Sequence, residues 1–489
     1  MSTISIIGSG FSGLTASALL ANNGFAVTVF EKNSTIGGRA RTMETNGFVF
    51  DMGPSWYWMP DVFERYFNLF NHTTSDFYEL KKLNPGFRVV FGENDHMDVP
   101  EDFEQLCALF ESIEKGSADK LKKFMLQAEY KYKVGMKEMV YLPSHSIKEF
   151  MSFSLLKDAL KIQLFSSFKS HVRSYFKHPK LIALIEFPVL FLGAMPKDTP
   201  ALYSLMNYAG LKQGTFYPMG GFGKVIDAFK KIATEQGVVF KTSENVEQIN
   251  IQNGNIKQIV SNGYSIATDA VIATADYHHI EANLLPTKYR NYDENYWDKK
   301  TFAPSCLIYY LGVNKKVNKI IHHNLFFDEN IEDHSKEIYK DKKWPTKPLF
   351  YVCCPSKTDE TVAPLGHENI FLLMPIATGL VDNEETRERY YNIMMDRLCN
   401  YIGDDIRANI IYKKSYSVSD FKKDYNAYKG NAYGLANTLL QTAILKPKMK
   451  SKKVDNLFYA GQLTVPGPGV PPSIISGQIA ANEIIKHFK

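Results

Sequence analysis

Short apolar runs and amphipathic stretches alternate from the first residues onward. Ile4-Ser5-Ile6-Ile7 reads as a buried strand, residues 14–22 as a helix, and Val27-Thr28-Val29-Phe30 as a second strand ending at Glu31. Strand, helix and strand in that order predict a parallel βαβ unit. In the middle of the chain the period changes. Phe153, Leu156, Leu160, Leu164 and Phe168 recur at three- and four-residue steps, the spacing of one helical face, while Lys157 and Lys161 fall on another.

Strand-like runs return after Gly214. A helical stretch over 225–236 leads to strands at 238–240, 246–249 and 256–260, with turn signals at Asn253-Gly254-Asn255 and Asn262-Gly263. Residues 270–274 read as a buried strand rejoining the first sheet, and Tyr277-His278-His279 follows directly. Adjacent histidines on a strand point to opposite faces, and no carboxylate or cysteine sits at ligand spacing, so no metal is expected. A second strand-rich region runs from about 302 to 413, with buried strands at 306–312, 349–354 and 370–375, and an aromatic, glycine-punctuated loop occupies 425–434. The chain closes with a strand ending at Gly461, a loop rich in glycine and proline, and a helix from Ser473 to His487.

These elements divide the chain. Residues 1–90, 214–290 and 440–489 are expected to form one discontinuous α/β domain, 91–119 and 291–439 a mixed-sheet domain, and 120–213 a helical cap. At 489 residues the chain is too long for one simple core, which agrees.

The opening βαβ unit carries chemistry. Between strand and helix stands Gly8-Ser9-Gly10-Phe11-Ser12-Gly13, where Gly8 allows the tight turn, Gly10 lets backbone approach a pyrophosphate, and Gly13 lets helix and strand pack closely. The helix N-terminus offers free N–H groups and a positive dipole end to phosphates. Glu31 lies eighteen residues after Gly13, where a carboxylate can accept both hydroxyls of an adenosine ribose and repel a 2′-phosphate. A dinucleotide other than NADP is implied.

The residues after this unit favour flavin over nicotinamide. Gly37-Gly38-Arg39-Ala40-Arg41 places a second glycine pair beside arginines, with guanidinium available to a diphosphate, and Asp51-Met52-Gly53-Pro54 comes soon after. At the other end, Gly461-Gln462-Leu463-Thr464-Val465-Pro466-Gly467-Pro468-Gly469-Val470-Pro471-Pro472 is rigid and bare, suited to a flat ring lying against backbone. The helix beginning at Ser473 then aims its positive end at that ring, stabilising a reduced, anionic flavin.

Charge and cysteine usage narrow the setting. A net charge of +5 is modest for this length and makes nucleic acid an unexpected partner. Five cysteines without metal or redox spacing fit a reducing compartment. Residue 4 is already in a strand, leaving no room for a cleaved leader, and the longest apolar run, 181–195, is broken by Glu186 and Pro188 and falls short of the ~20 residues a spanning helix needs. Between Lys120 and Lys180, thirteen Lys/Arg face four acids. The basic amphipathic region 150–176 is therefore open to two readings, an interfacial helix on an anionic membrane or a cap helix with solvated lysines.

The motifs GSGFSGL, FEKN, GGRA and FDMGP near the start, YPMGG in the middle and LFYAGQLTVPGPGVPPSIISG at the end together resemble the bacterial phytoene desaturase family of carotenoid dehydrogenases, in its flavobacterial-type branch. Where many relatives carry a terminal AGTHPGAGIPG, this chain has GQLTVPGPGVPP from Gly461 to Pro472. The resemblance implies a Rossmann-like FAD domain of the glutathione-reductase and amine-oxidase type, an inserted mixed-sheet substrate domain, and a cap facing a membrane. It implies cofactor contacts from Gly8, Gly10, Phe11, Ser12, Gly13, Glu31, Lys32, Gly38, Arg39, Gly53, Pro54, Ser55, Val246, Thr274, Ala275, Gly461, Gln462, Val470 and Pro471. It further implies a carotenoid substrate, quinone or oxygen as electron acceptor, and a cytoplasmic protein held on the inner face of the cell membrane.

Hydride loss from an allylic carbon is eased by charge spreading into the polyene, so such a site needs an apolar tunnel more than a nucleophile, and no Ser/His/Asp or Cys/His signature is evident. Glu186, within Leu184-Ile185-Glu186-Phe187, is a candidate proton acceptor or a carboxylate paired to Lys or Arg. Trp56-Tyr57-Trp58 reads as tunnel lining or as aromatic core. The leading expectation is desaturation of phytoene or a related carotene. Desaturation late in the pathway, of a carotene or hydroxycarotene end, stands beside it. An amine or porphyrinogen oxidase and a non-enzymatic prenyl-binding module are the remote alternatives, the last disfavoured by the intact glycines.

Overall fold

The computed structural model describes residues 1–150, 166–190, 193–438 and 440–489. Its organising layer is a five-stranded sheet. Strands β1 (Thr3–Ile7) and β2 (Ala26–Glu31) lie side by side, with Ala270–Ala273 and then Leu457–Tyr459 beyond β1 and Val239–Thr242 beyond β2, all parallel. Both faces of such a sheet are covered, which is why Ala270–Ala273 is an apolar run without alternation and Ser5 in β1 is as buried as its isoleucine neighbours. Helix α1 (Phe11–Asn22) packs against both Phe222–Glu235 and the C-terminal helix Val470–Phe488. It is buried almost all round, and it has no polar face to present.

Three antiparallel strands, Val246–Gln252, Asn255–Ser261 and Tyr264–Ala267, form a meander beside this layer. Its turns are Asn253-Gly254 and Asn262-Gly263, all four residues at positive φ, the geometry a two-residue hairpin demands.

The second large layer is a seven-stranded mixed sheet ordered Ile410–Tyr416, Ser305–Val313, Glu368–Ile376, Phe350–Cys353, His323–Phe326, Phe87–Gly92 and Asp95–Val99. The one parallel pairing joins His323–Phe326 to Phe87–Gly92. Leu307, Tyr309 and Leu311 share a core with Tyr390, Met394 and Leu398 of the helix Glu384–Ile402. Ile308 and Tyr310, on the alternate face, belong to the main core shared with the parallel layer. Helices Phe103–Ile113, Ser117–Val134, Phe168–Tyr175 and Pro179–Leu190 pack in sequence on one another. None of the described helices is long and apolar enough to cross a membrane.

The structure corrects several sequence expectations. Phe87–Gly92 already belongs to the large mixed sheet, so the chain leaves the parallel layer before residue 87 rather than at 91. Three helices begin earlier than their apolar periods suggest: α1 at Phe11, the central helix at Phe222 and the last at Val470. In each, the first turn contains glycine or proline, which read as loop in a sequence; first-turn N–H groups need no intrahelical partner, so Pro471 and Pro472 sit there without loss. Tyr277–His279 is a helical turn and not a strand, because Asp276 caps it by accepting the His279 N–H at 3.2 Å.

Candidate active site

One cavity joins the two layers. Its volume is about 430 Å³, within the roughly 300–1,000 Å³ of small-ligand pockets. Every cofactor residue named from the sequence lines it except Gly13. The exception has a reason: a Cβ at Gly13 would stand 2.1 Å from the Gly8 carbonyl oxygen, so its role is the close approach of helix to strand. Gly10 is the converse, since a Cβ there would project into open space with nothing within 4 Å.

The mouth of the cavity is built for anions. The first intrahelical bond of α1 runs from Leu14 N–H to Gly10 O at 2.9 Å, which leaves the preceding N–H groups for a ligand. The C-terminal helix opens onto the same space, with Gly469 to Ser473 among its lining residues, and Ser12 Oγ donates to Ser473 O at 2.9 Å. Two positive helix ends thus meet at one place. Arg39 adds a cation there. Burial lowers its pKa, opposed by the charge of Asp276; its Nη2 donates to Asn431 O at 3.2 Å while its Nε has no partner among the described residues. A buried guanidinium with an idle N–H beside two helix ends fits a diphosphate.

Glu31 ends β2 inside this space and is 5% exposed. Its carboxylate accepts from Ser9 N–H at 3.1 Å and Ser9 Oγ at 2.7 Å, and from Asn33 N–H and Nδ2, each at 2.9 Å. It therefore braces the turn off β1. Lys32, expected at the cofactor, donates to Lys423 O at 2.7 Å and Asn426 Oδ1 at 3.1 Å, pinning the loop after helix Val418–Tyr425 to the mouth.

Beyond the mouth the cavity turns apolar. Trp56, Phe187, Leu190, Leu325, Phe327 and Leu373 bound it, together with Tyr351 and Tyr433. The lining carboxylates among the described residues, Glu31, Glu244, Asp276 and Asp424, all stand at the mouth. Trp56 stacks flat on His323, with centroids 4.1 Å apart and planes at 9°. Trp56 and Trp58 line the cavity, whereas Tyr57 is fully buried in the core against Phe63, so the aromatic triplet divides between both readings.

Glu186 is on the wrong side for chemistry in this cavity. It does not line it, and Arg173 Nε lies 3.5 Å from its Oε1. Burial raises its pKa and the Arg173 charge opposes that rise. The structure thus supports the paired-carboxylate reading. Of the basic region 150–176, residues 151–165, with Lys157 and Lys161, lie outside the described residues. In the described turn Lys169 and Arg173 both pair with Glu332.

Sequence reasoning missed the inner polar cluster. His323 and Cys353 face each other on paired strands, and with His322 they bring ring nitrogens and sulfur within 4.8 Å of one another, the one such grouping among the described residues. Thirty residues separate His323 from the cysteine, so no local spacing announces it. It also missed Tyr425, Asn426 and Tyr433, which reach the cavity from the aromatic, glycine-punctuated loop.

Known proteins agree with this geometry. Residues 11–485 match the family described as flavin containing amine oxidoreductase. A carotenoid 3,4-desaturase of Haloarcula japonica is 40% identical over 484 residues, covering 99% of this chain and 98% of that protein. A 4,4'-diapophytoene desaturase (4,4'-diaponeurosporene-forming) of Staphylococcus haemolyticus is 29% identical over 506 residues, covering 99% of each. Among solved structures, an oxidoreductase from Methanosarcina mazei matches with a TM-score of 0.63 at 16% identity, covering 99% of this chain and 100% of that one. Putrescine oxidase bound to putrescine matches with a TM-score of 0.63 at 12% identity, covering 99% of each. The fold is thus the amine-oxidase type of FAD-binding α/β fold.

Proposed function

Because the chain belongs to the flavin-containing amine oxidoreductases, and within them to the carotenoid desaturases, we propose that it introduces a double bond at the 3,4 position of an acyclic carotenoid end. As a member of that group it is a FAD-dependent oxidoreductase acting on a CH–CH bond. The late-pathway reading gains over phytoene desaturation because the 3,4-desaturase is 40% identical and the diapophytoene desaturase 29% over the same span.

The carrying observation is one continuous space, an anion-binding mouth opening into an apolar pocket without a carboxylate among its described deep lining residues. FAD, when bound, supplies the two-electron sink for hydride from an allylic carbon. In this reading the adenosine ribose meets Glu31, the diphosphate meets Arg39 and the two helix ends, and the ring lies between Gly53 to Ser55 and Gly461 to Pro471. Val246, Thr274 and Ala275 close the mouth from the meander side. The cavity walls keep water from the developing cation. An amine substrate would bring a cation into this deep pocket with no counter-charge, which argues against the amine-oxidase alternative.

Quinone or oxygen would reoxidise the flavin, and a water-insoluble substrate would be drawn from a membrane surface touched by region 150–176. The test is incubation of the purified protein with phytoene, acyclic carotenes and hydroxycarotenes in liposomes, with and without FAD and quinone, followed by product chromatography. A product longer by one conjugated bond at a carotene end is expected. Turnover of phytoene alone would overturn the 3,4 assignment.

A further inference from the structure

Desaturation removes a hydride from one carbon and a proton from its neighbour, and the apolar cavity holds no described carboxylate to receive that proton. The polar atoms of the deep lining are few. His334 is saturated, its Nε2 donating to Pro375 O at 3.0 Å and its Nδ1 accepting Leu349 N–H at 2.7 Å. Tyr351 differs. Its ring lines the cavity, and its hydroxyl lies 3.0 Å from Ser55 Oγ, also in the lining, and 2.6 Å from His323 Nδ1 behind the wall.

The state of His323 is set by its neighbours. Burial, and after it the proximity of His322, pushes its pKa well below the usual histidine range, so the ring is neutral. The Tyr351 phenol and the Cys353 thiol are both held protonated by burial, and Cys353 Sγ stands 3.7 Å from the same Nδ1. Two protonated donors facing one nitrogen make that nitrogen the acceptor and put the ring proton on Nε2. Nε2 of His323 and Nε2 of His322 have no partner among the described residues. His322 and Cys353 border a cavity of about 10 Å³, the room of one water. A chain of exchangeable protons thus leads from the substrate space into the protein.

We propose that Tyr351 is the catalytic proton acceptor of the desaturation, relaying through His323. The proposal rests on the desaturase reading. With FAD bound, one substrate C–H bond would break with its electron pair leaving for the flavin, which would serve as the two-electron acceptor. The adjacent C–H bond then breaks, its pair closing the new π bond while its proton goes to Tyr351 Oη. The phenolic proton moves at the same time to His323 Nδ1. The substrate loses two electrons and two hydrogens, and His323 holds the released proton until it leaves by way of Nε2. A carbon beside a carbocation is a very strong acid, so even a neutral imidazole of depressed basicity suffices. The face of Trp56, stacked on the same ring, stabilises the imidazolium that forms.

The test uses FAD-loaded wild type, Tyr351→Phe, His323→Gln and His323→Gly with the carotene that wild type desaturates. Tyr351→Phe and His323→Gln should slow single-turnover product formation by about 10²-fold, the usual weight of a positioned base. Flavin content and carotene binding should stay at wild-type levels, imidazole should restore part of the His323→Gly rate, and the solvent deuterium isotope effect of wild type should vanish in Tyr351→Phe. A readout without turnover accompanies these: in protein labelled with ¹⁵N-histidine, His323 Nδ1 should resonate as an unprotonated, hydrogen-bonded nitrogen that shifts in Tyr351→Phe. Wild-type rates in Tyr351→Phe, or an unmoved nitrogen signal, would overturn the relay while leaving the desaturase reading intact. A wild type that desaturates no carotene would overturn both.

Discussion

Single residues separate what a local pattern can announce from what it cannot. Glu31 was legible, because the interval from glycine turn to acid is fixed by the length of one helix and one strand. Its hydrogen bonds to Ser9 and Asn33 show that it also holds the turn leading into α1. Glu31→Lys should abolish FAD retention, read as the flavin-to-protein absorbance ratio after gel filtration. It also leaves buried donors of Ser9 unmet, at about 1–3 kcal/mol of apoprotein stability. Full flavin occupancy in that variant would refute the ribose role. Glu186 was legible as a proton acceptor or a carboxylate paired to Lys or Arg, and its neighbour Arg173 favours the second, whereas His323 was not legible, because its partner Tyr351 comes from a separate element. An acid among apolar residues is visible in the sequence, and only packing says what it faces.

At the scale of elements, the strands that were read lie close to their observed bounds, but Phe87–Gly92, Asp95–Val99, His323–Phe326 and Ile410–Tyr416 among others went unread, and helix starts were placed about three residues late. Apolar period marks the body of a helix, but its first turn is set by capping and by ligand contact. The helix Phe222–Glu235 illustrates the cost of such a start. Asp51, from the strand Phe48–Asp51, accepts the Phe222 N–H at 2.9 and 3.0 Å, and burial pushes its carboxyl up to about 7 against the opposing help of the Phe222 and Gly223 N–H groups. A carboxyl whose folded pKa is raised contributes stability that is full below its unfolded value near 4 and is lost as pH climbs through about 7. Asp51→Asn keeps an acceptor for the helix and has nothing to ionise. The melting temperature of wild type relative to this variant should therefore fall between pH 5 and pH 8. A constant difference across that range would show that Asp51 is ionised throughout.

For the whole molecule, the parallel layer is closed by strands from the beginning, middle and end of the chain, and the cavity draws its mouth from the same three stretches. That strands from these stretches share one sheet was legible because glycine-rich motifs mark both ends of the chain. The seven-stranded sheet was legible only in parts, since Phe87–Gly92 pairs with a strand more than two hundred residues away. A ligand that bridges such distant stretches should stabilise them together, by about 2.7 kcal/mol at a hundredfold excess over Kd. FAD should raise the apoprotein melting temperature saturably, and ADP, filling the adenosine and diphosphate positions alone, should raise it less. Val470→Glu separates the two halves. An acid in the first turn of the C-terminal helix suits its dipole, so the apoprotein should melt as before and keep its response to ADP. In the proposed reading the same charge at Val470, which lines the cavity, should remove the extra gain that FAD gives over ADP. An undiminished gain would mean that the ring lies elsewhere and that the two ends of the chain meet for packing alone.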